Sequence, residues 1–448
     1  MSADLAALAE RLVEAGRAAG ADAADAVAVG GDSLSIEVRG GALEHAERAE
    51  GVDLGLRVLV GRRQACVSAS DTRPETIAAM AERAVAMARE APEDPYCGLA
   101  DPAMLARDWD VAALDLVDPE PMPGPETLQA AALAAEAAAL AVPGVTRMDS
   151  AGAGWSSGRF HLAASNGFSG GFGRTGHSVQ AVAICGEGLG MERDHAFEGR
   201  VHRGDLPDPA EVGRRAGERA AAMAGASKPP TGAFPVLYDE RVASGLIGHL
   251  VQAINGSAIT RGASWLKDAM GERVLPAGID LVEDPLRPRI AGSHPFDGEG
   301  LPAVRRLLVE DGILKSWTLD LATGRQLGLP STANAGRGTS SPPSPSAGNL
   351  TLTQRTVSRD DLIAEMGTGL VVTSLLGASI NPTTGDYSRG ASGFWVENGA
   401  IVRPVNECTI AGNLRPMLTS IRPANDARPW LGRVVPSLLV EGLVVAGS

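Results

Sequence analysis

The first hundred residues show two hydrophobic periods, one typical of helices and one typical of strands. Apolar residues recur at helical spacing between residues 5 and 15, and Ser2 or Asp4 is placed to cap this predicted helix. Helical spacing returns over residues 72–91, with acidic residues early and basic residues late, as the helix dipole favours. Between the two helices the period is two, which predicts four short strands: 25–31, 33–41, 52–61 and 63–71. Residues 1–100 are therefore predicted to form an N-terminal α-β4-α domain.

A proline-rich segment separates this domain from a second one. Residues 92–125 contain seven prolines among acidic residues, a composition that fits a linker or an ordered extended crossover. Helical spacing then predicts helices over 126–141 and 209–224, with strands over 144–165 and 177–188 between them. We therefore expect a middle α/β domain at residues 101–230.

The remaining residues, 231–448, predict a β-rich C-terminal domain that is barrel-like or sandwich-like. A strand over 234–238 leads into a helix over 239–254, and short strands follow. The dipeptides Asp311-Gly312 and Asn398-Gly399 favour tight hairpins, and Ser358 is placed to cap a helix over 360–366. The predicted fold class of the whole chain is α+β, with antiparallel strands and long helices in the N-terminal half.

The segment from Asn334 to Asn349 (NAGRGTSSPPSPSAGN) allows two interpretations. Its low complexity favours disorder. Its position inside a domain equally favours an ordered loop that lines a cleft, because long irregular loops within domains are often functional.

Charge and composition narrow the function classes. The formal net charge is −14, and three of the basic residues are lysines, so the chain lacks the basic surface that nucleic acid or an anionic membrane would require. No run of 18 apolar residues predicts a membrane span, and Asp4 and Glu10 do not suit a signal peptide. The four cysteines are widely spaced, which favours free thiols. These features predict a soluble, cytoplasmic protein.

Two overlapping motifs occur in NGFSGGFGRTGHS. Residues 167–171 match GxSxG and residues 171–176 match GxGxxG, but both motifs require a helix afterwards, and the residues that follow alternate like a strand. A glycine-rich hairpin is therefore favoured over a nucleophile elbow or a dinucleotide loop. A serine hydrolase that uses Ser169 or Ser392 is retained as an alternative that a serine-reactive phosphonate would test.

Three strings in the C-terminal half place acids or amides beside glycines: SHPFDGEG (293–300), NPTTGDYSRGASGFWVENG (381–399) and ECTIAGNL (407–414). They fit loops where the backbone approaches a ligand closely, but from the residues alone ordinary turns between strands are favoured.

These strings, together with DERVASGLIGHLVQAINGSA (239–258) and VEDGILKSWTLD (309–320), resemble the TldD/TldE family in order and spacing, and specifically its TldE (PmbA) branch, once described as modulators of DNA gyrase. The resemblance spans nearly the full chain. It implies a cytosolic heterodimeric metalloprotease that acts on unfolded or leader peptides, in which a TldD-like subunit carries the zinc.

The same resemblance implies that this chain lacks a zinc site. Zinc-bearing members have HExxxH on the helix after residue 238, with two histidine ligands and a glutamate base. Here Ser244 and Gly245 replace the first histidine and the glutamate, and His249 remains. The cysteine ligand of TldD follows the string that matches TIAGNL, whereas Cys408 precedes it. No catalytic or metal-binding residue is therefore expected in this chain, and zinc is expected in the partner.

The resemblance also suggests which residues contact a peptide and what the chain binds. The candidate cleft residues, taken from the matching strings, are Asp297, Glu299, Asp386, Tyr387 and Ser388. Expected partners are a TldD-like zinc-bearing subunit and an extended or unfolded peptide, with a homodimer when the subunit is absent. Nucleic acid and membrane are not expected. The alternative is a free-standing homodimeric protein that binds peptides as a scaffold without proteolysis.

Overall fold

The computed structural model describes residues 4–447, apart from the side chains of Leu189 and Ala378. A six-stranded antiparallel sheet with the order β3-β2-β1-β4-β5-β6 spans the N-terminal half. Because β1 pairs with β4, the two predicted N-terminal segments share one continuous sheet. Its strands are β1 (Ala23–Arg39), β2 (Ala42–Val60), β3 (Arg63–Ala69), β4 (Val145–Ala164), β5 (Ser169–Cys185) and β6 (Glu192–Arg200).

The prediction of four strands between residues 25 and 71 is wrong, because three are present. Strand β1 runs through Gly30 and Gly31 without a turn. The two glycines are paired on both sides, with β2 and with β4, so the sheet holds extended a segment that would favour a turn in isolation. The N-terminal arrangement is therefore α-β3-α.

Helices cover one face of this sheet. On β1, Ala24, Ala26 and Ala28 belong to one core and Leu34, Ile36 and Val38 to a second core on the same face, since residues of equal parity share a face. Residues 92–125 cross the molecule as an ordered, mostly extended segment. The N-terminal helices are α1 (Leu5–Ala18), α2 (Pro74–Glu90), α3 (Val111–Leu114), α4 (Pro125–Leu140) and α5 (Pro209–Ala222), with short 3-10 turns at Pro102–Met104, Gly188–Gly190 and Arg203–Asp205.

A barrel-like sheet forms the centre of the C-terminal half and confirms the α+β class. The strand order is β16-β15-β14-β7-β19-β17, and β16 also pairs with β19, which closes five strands on themselves. Strands β7 and β14 are parallel, and the other neighbours are antiparallel. The strands are β7 (Gly232–Tyr238), β14 (Gly369–Ile380), β15 (Asp386–Glu397), β16 (Ala400–Asn413), β17 (Arg422–Pro423) and β19 (Leu438–Ala446).

Smaller elements surround the barrel. The predicted hairpins are confirmed: Asp311 and Gly312 join β9 to β10, and Asn398 and Gly399 join β15 to β16, all four with positive φ. The helices here are α6 (Glu240–Ala253), α7 (Gly256–Thr260), α8 (Leu321–Leu327), α9 (Arg359–Met366) and α10 (Leu414–Thr419). The remaining strands are β8 (Leu281–Glu283), β9 (Arg306–Glu310), β10 (Ile313–Leu314), β11 (Ala335–Gly336), β12 (Ser344–Pro345), β13 (Leu350–Leu352) and β18 (Arg433–Val434).

The uncovered face of the N-terminal sheet packs against the C-terminal half. Val27 and Leu162 of the sheet form a small core with Phe168 and Phe296. The segment 334–349 is ordered and lies in this contact, with β11 and β12 paired as a hairpin. Among residues 4–447, no helix is both long enough and apolar enough to cross a membrane.

Candidate functional site

Helix α6 carries the residues that correspond to the HExxxH zinc motif, and it follows β7 directly. Asp239 caps its first turn by accepting a hydrogen bond from the backbone N–H of Arg241 at 3.2 Å. Apolar residues at helical spacing, including Leu246 and Leu250, are buried in the core of the C-terminal half. Burial of this stripe fixes the direction of the helix and therefore the position of its polar residues.

The three motif positions on α6 are half-buried. Ser244 and His249 are five residues apart, so they lie roughly 140° apart around a regular helix. No atom lies within 4 Å of the point where a Cβ on Gly245 would stand, so the helix surface is open there. A larger side chain would therefore fit at this position, but the chain has glycine there.

His249 has an unusual polar environment. Its ring packs edge-on against Tyr387 of β15, with 5.8 Å between ring centroids. Its buried Nδ1 makes no hydrogen bond to any residue in the described chain. Burial, and then the positive charge of Arg389, lower the pKa of His249, so the imidazole is neutral near pH 7.

One further polar group in this region, Nε of Arg389, lacks a partner within residues 4–447, and the buried hydroxyl of Tyr238 lies beside that of Tyr387. Burial, and then the adjacent Tyr387, raise the pKa of Tyr238 well above its ordinary value. Arg389 places a fixed positive charge near His249, and a like charge opposes the binding of a divalent cation.

Cys408, the cysteine closest in sequence to the TIAGNL string, is a buried thiol on β16. Its Sγ donates to the carbonyl of Ala391 at 3.2 Å, and burial raises its pKa to about 11, so the thiolate that zinc binds is disfavoured. No three His, Cys, Asp or Glu side chains are grouped to hold a metal ion in the described part of the chain. These residues do not fit a tetrahedral zinc ligand set.

A cavity of about 330 Å³ borders His249 on the side of α7. It is large enough for a small group but not for a folded partner. Residues lining it include His249, Gln252, Arg261, Trp265 and Pro382.

Asp297 and Glu299 lie together in the 293–300 loop, and both are buried. The Asp297 carboxylate accepts hydrogen bonds from the backbone N–H groups of Glu299, Leu301 and Ala335 at 2.9–3.0 Å. Burial nevertheless raises its pKa to about 6. The carboxylate therefore shapes the loop through its backbone.

Glu299 is the more strongly perturbed of the two acids. Burial first, and then the charge of Asp297, raise its pKa to about 8, so it is a neutral acid at pH 7. Its Oε2 accepts a hydrogen bond from the backbone N–H of Leu321 at the start of α8.

The other three predicted contact residues lie on β15. Asp386 is exposed and accepts hydrogen bonds from the Thr384 hydroxyl at 2.6 Å and from Asn413 Nδ2 at 3.1 Å, which lower its pKa. Tyr387 is buried against His249, and Ser388 is half-buried. The five residues thus occupy two places, the 293–300 loop and β15, and their contact with a peptide stays a prediction.

Ser169 of the GxSxG string lies at the start of β5, in the antiparallel hairpin with β4. The glycine-rich hairpin is therefore confirmed, and no helix follows the serine as an elbow requires. Its hydroxyl donates to Glu10 at 3.0 Å and lies 3.0 Å from Nε2 of His161. The acid contacts the serine rather than the histidine, which does not match the acid–histidine–serine order of a catalytic triad.

A buried charge cluster, which the sequence prediction missed, joins the two halves of the molecule. Asp25 of β1 accepts hydrogen bonds from Arg57 of β2 at 2.7 Å and from Arg337 of the 334–349 segment at 2.7 Å. A signal was present in the sequence, since Arg57 interrupts the aliphatic run LGLRVLV and a charge in a buried strand requires a partner. The partner was not identifiable, because Arg337 lies 312 positions from Asp25.

Comparison with known proteins places this site in a family context. Three models of the PmbA/TldA metallopeptidase match: domain 1 at residues 24–88, the central domain at 118–224 and the C-terminal domain at 231–447. The chain is 35% identical to Metalloprotease PmbA of Escherichia coli O157:H7 over 434 residues, covering 97% of this chain and 93% of that protein. It is 32% identical to a Metalloprotease PmbA homolog of Haemophilus influenzae, covering 97% and 94%.

Solved structures agree. A Bacteroides thetaiotaomicron protein, described as a candidate modulator of DNA gyrase, has a TM-score of 0.89 at 26% identity, with both chains fully covered. TldE from Thermococcus kodakarensis has a TM-score of 0.84 at 20% identity, covering 98% of this chain and 99% of that one, which shows a shared fold. On the combined sequence and structural matches, this chain belongs to the PmbA/TldD metallopeptidase family.

Proposed function

We propose that this chain is the TldE-like, non-catalytic subunit of a cytoplasmic heterodimeric metalloprotease that acts on unfolded or leader peptides. In this proposal a TldD-like partner carries the zinc and performs the hydrolysis. The present chain completes the chamber through which an extended peptide reaches that zinc.

The environment of His249 is the observation that carries the proposal. Ser244 and Gly245 cannot supply a second imidazole ligand or a carboxylate base, and Cys408 is held as a buried thiol by its backbone partner. Arg389 adds a positive charge beside His249, the one remaining ligand of the motif, and this charge would repel a metal cation. A chain of this kind supports proteolysis through assembly rather than through its own chemistry.

The family context and the charge support the same proposal. The family consists of metallopeptidases by name, and a TldE shares the fold over nearly the whole chain. A net charge of −14 supports a peptide substrate over DNA, in spite of the gyrase description carried by one structural relative. The free-standing homodimeric scaffold remains the second candidate, and the same experiment separates the two.

The test compares the purified chain alone with the chain mixed with a TldD-like partner. We expect less than stoichiometric zinc by metal analysis and no cleavage of an unfolded, fluorophore-labelled peptide by the chain alone. Light scattering should detect a 1:1 complex after mixing, and cleavage should appear with it.

A variant of this chain sharpens the test. His249→Ala should leave cleavage by the mixture within about twofold, because the proposal gives this imidazole no ligand role. Replacement of the partner's own zinc-binding histidines is the positive control and should abolish cleavage. Zinc-dependent cleavage by the isolated chain, lost in His249→Ala, would contradict the proposal, and persistent homodimers without cleavage would favour the scaffold.

A further inference from the structure

A cavity of about 480 Å³ lies between the uncovered face of the N-terminal sheet and the C-terminal half. We call it the interdomain cavity. Its walls are β4 and β5 on one side and the segments 292–298, 334–337, 346–349 and 432–433 on the other. Its volume is in the range of sites that hold small ligands or a few residues of a peptide.

The cavity is basic, although the chain as a whole is acidic. Arg174, Arg337 and Arg433 line it, whereas Asp297 is the single acidic lining residue among those described. Arg337 is paired with Asp25, and burial lowers the pKa of the lining residue His294, so the unpaired positive charge comes from Arg174 and Arg433. Asp297 directs its oxygens to three backbone N–H groups and so neutralises none of the arginines. Because the whole chain has a net charge of −14, this local excess of positive charge is a feature of the cavity and not of the overall composition.

Two of the arginines have no anionic partner in the described chain. Arg174 stacks on Phe172, with 5.2 Å from its guanidinium carbon to the ring centroid, and donates to the carbonyl of Ala291. Burial lowers the pKa of Arg174, with no compensating acid nearby. Arg433 is exposed at the opposite wall, and no hydrogen bond or ion pair joins its side chain to residues 4–447.

Arg337 supplies an independent indication of a ligand. Its side chain is fully buried, and it binds Asp25 through Nη2 and backbone carbonyls through Nη1. Its Nε is also buried and donates to no oxygen among the described residues, and the guanidinium lies beside the thiol of Cys66. A buried N–H without an oxygen acceptor is costly, so this N–H is available to donate to an acceptor that enters the cavity.

The cavity also leads toward helix α6 and toward an apolar groove. Nη1 of Arg433 lies 3.2 Å from the point where a Cβ on Gly248 would stand, next to His249. On another side, Gly292, Asn349 and Gly432 are shared with a groove of about 580 Å³. Aromatic side chains that line this groove are Trp155, Phe197 and Trp430. An extended chain in the groove would have its end, or an acidic side chain, in the cavity.

We propose that the interdomain cavity binds a carboxylate of an extended peptide, with Arg174 and Arg433 as the main contacts and Arg337 Nε as a further donor. A planar guanidinium presents paired N–H donors that suit a carboxylate, and two of them line opposite walls of this cavity. The carboxylate is either the peptide's C-terminus or an Asp or Glu side chain. The inference rests on the proposed function in one respect, that the ligand is a peptide.

The test measures binding to the full chain alone at low ionic strength, by fluorescence anisotropy. The probe is an N-terminally fluorescein-labelled Gly-Ser-Phe-Ser-Gly-Ser peptide, compared in three forms: a free C-terminus, a C-terminal amide, and an amide with an internal Glu. We expect the amide to bind about tenfold more weakly than the free acid or the Glu form. The stronger of those two identifies the source of the carboxylate.

Variants connect the binding to the cavity. Arg433→Gln and Arg174→Gln should each weaken carboxylate binding about tenfold and leave binding of the amide unchanged. Arg305→Gln is the matched control, because its side chain is 61% exposed and lies outside the cavity. Unchanged thermal midpoints establish that the variants are folded, and exposed Arg433 is the variant least able to disturb folding.

Three results would overturn the inference: equal binding of all three peptides, no effect of either arginine variant, or displacement of the peptide by inorganic phosphate at equal concentration. None of them bears on the heterodimer, which the zinc and cleavage measurements test separately. Conversely, carboxylate binding without cleavage in the partner mixture would support the carboxylate site and contradict the proposed protease function.

Discussion

Glu299 couples the stability of this chain to pH. Its pKa is about 8 in the folded protein against an ordinary value of 4.5, so the folded chain binds a proton that the unfolded chain releases between these values. Stability from this group is therefore greatest below pH 4.5 and falls as the pH rises towards 8, by at most about 1.4 kcal/mol per pH unit. We predict that Glu299→Gln, which stays neutral, reduces the fall in stability between pH 6 and 8.

Urea unfolding midpoints at pH 6, 7 and 8 measure this effect. Titrating groups that do not interact with Glu299 contribute equally to both proteins, so the quantity of interest is the difference between variant and wild type at each pH, and measurements at pH 7 and 8 lie above the pKa of the neighbouring Asp297. Glu82→Gln on the exposed side of α2 is the control and should follow the wild type. Parallel pH profiles for Glu299→Gln and wild type would refute the assignment.

Residues of the candidate site were predictable where they belong to one contiguous motif. Those that meet only through contacts between distant segments were missed. Ser244, Gly245 and His249 were identifiable because six consecutive positions on one helix can be compared with a known motif. Arg389 reaches His249 only because β15 packs beside α6, and no spacing in the sequence encodes that contact. The same holds for Arg174 and Arg433, which two distant segments bring to one cavity.

At the scale of elements, the β1–β2 hairpin depends on a carboxylate from helix α4. Glu136 is buried, and its two oxygens accept hydrogen bonds from the backbone N–H groups of Gly40 and Gly41 at 2.6 and 2.8 Å. Both glycines have positive φ, which other residues adopt at a cost. Glu136→Ala leaves two N–H groups without this acceptor, and we predict a loss of about 1–3 kcal/mol in stability.

Hydrogen exchange localises the effect. Amides near the hairpin turn should exchange faster in Glu136→Ala, while those of the barrel strands keep their protection. Glu126→Ala, at the exposed start of the same helix, is the control for a change in helix charge. If the two variants have the same exchange pattern, Glu136 does not anchor the turn.

Elements with strong local signals were predicted well, and those that depend on neighbours were not. The helices expected at 126–141 and 209–224 are present at Pro125–Leu140 and Pro209–Ala222, since proline starts and apolar spacing define them locally. The break predicted near Gly30 is absent because strands on both sides pair with that position. The glycines are visible in the sequence, but the strands that pair with them are not.

Across the whole molecule, the hydrophobic periods predicted the α+β class correctly, but the contact between the halves was not predictable. The segment 334–349 was open between disorder and an ordered loop, and the structure places it between the halves. Its order comes from the contacts it makes there, above all the burial of Arg337 against Asp25. Composition describes a segment in isolation, so it favoured disorder for residues that a second domain stabilises.

Gly55 offers a direct test of this docking. It lies on β2 against the 334–349 segment, and a Cβ at this position would stand 2.2 Å from the carbonyl oxygen of Thr339. We predict that Gly55→Ala forces the two halves apart locally and destabilises the protein by about 1–3 kcal/mol, which lowers the urea midpoint. Gly51→Ala on the same strand is the matched control, because no atom lies within 4 Å of its Cβ position.

Limited trypsin digestion distinguishes loss of docking from general instability. Arg337 is fully buried in the docked segment, so cleavage after it requires the segment to leave the N-terminal sheet. Gly55→Ala should therefore be cut at Arg337 at urea concentrations where wild type and Gly51→Ala resist, before the midpoint of global unfolding. Equal cleavage of all three proteins would mean that the 334–349 segment is held independently of Gly55, and the close contact at Thr339 would then not determine how the halves dock.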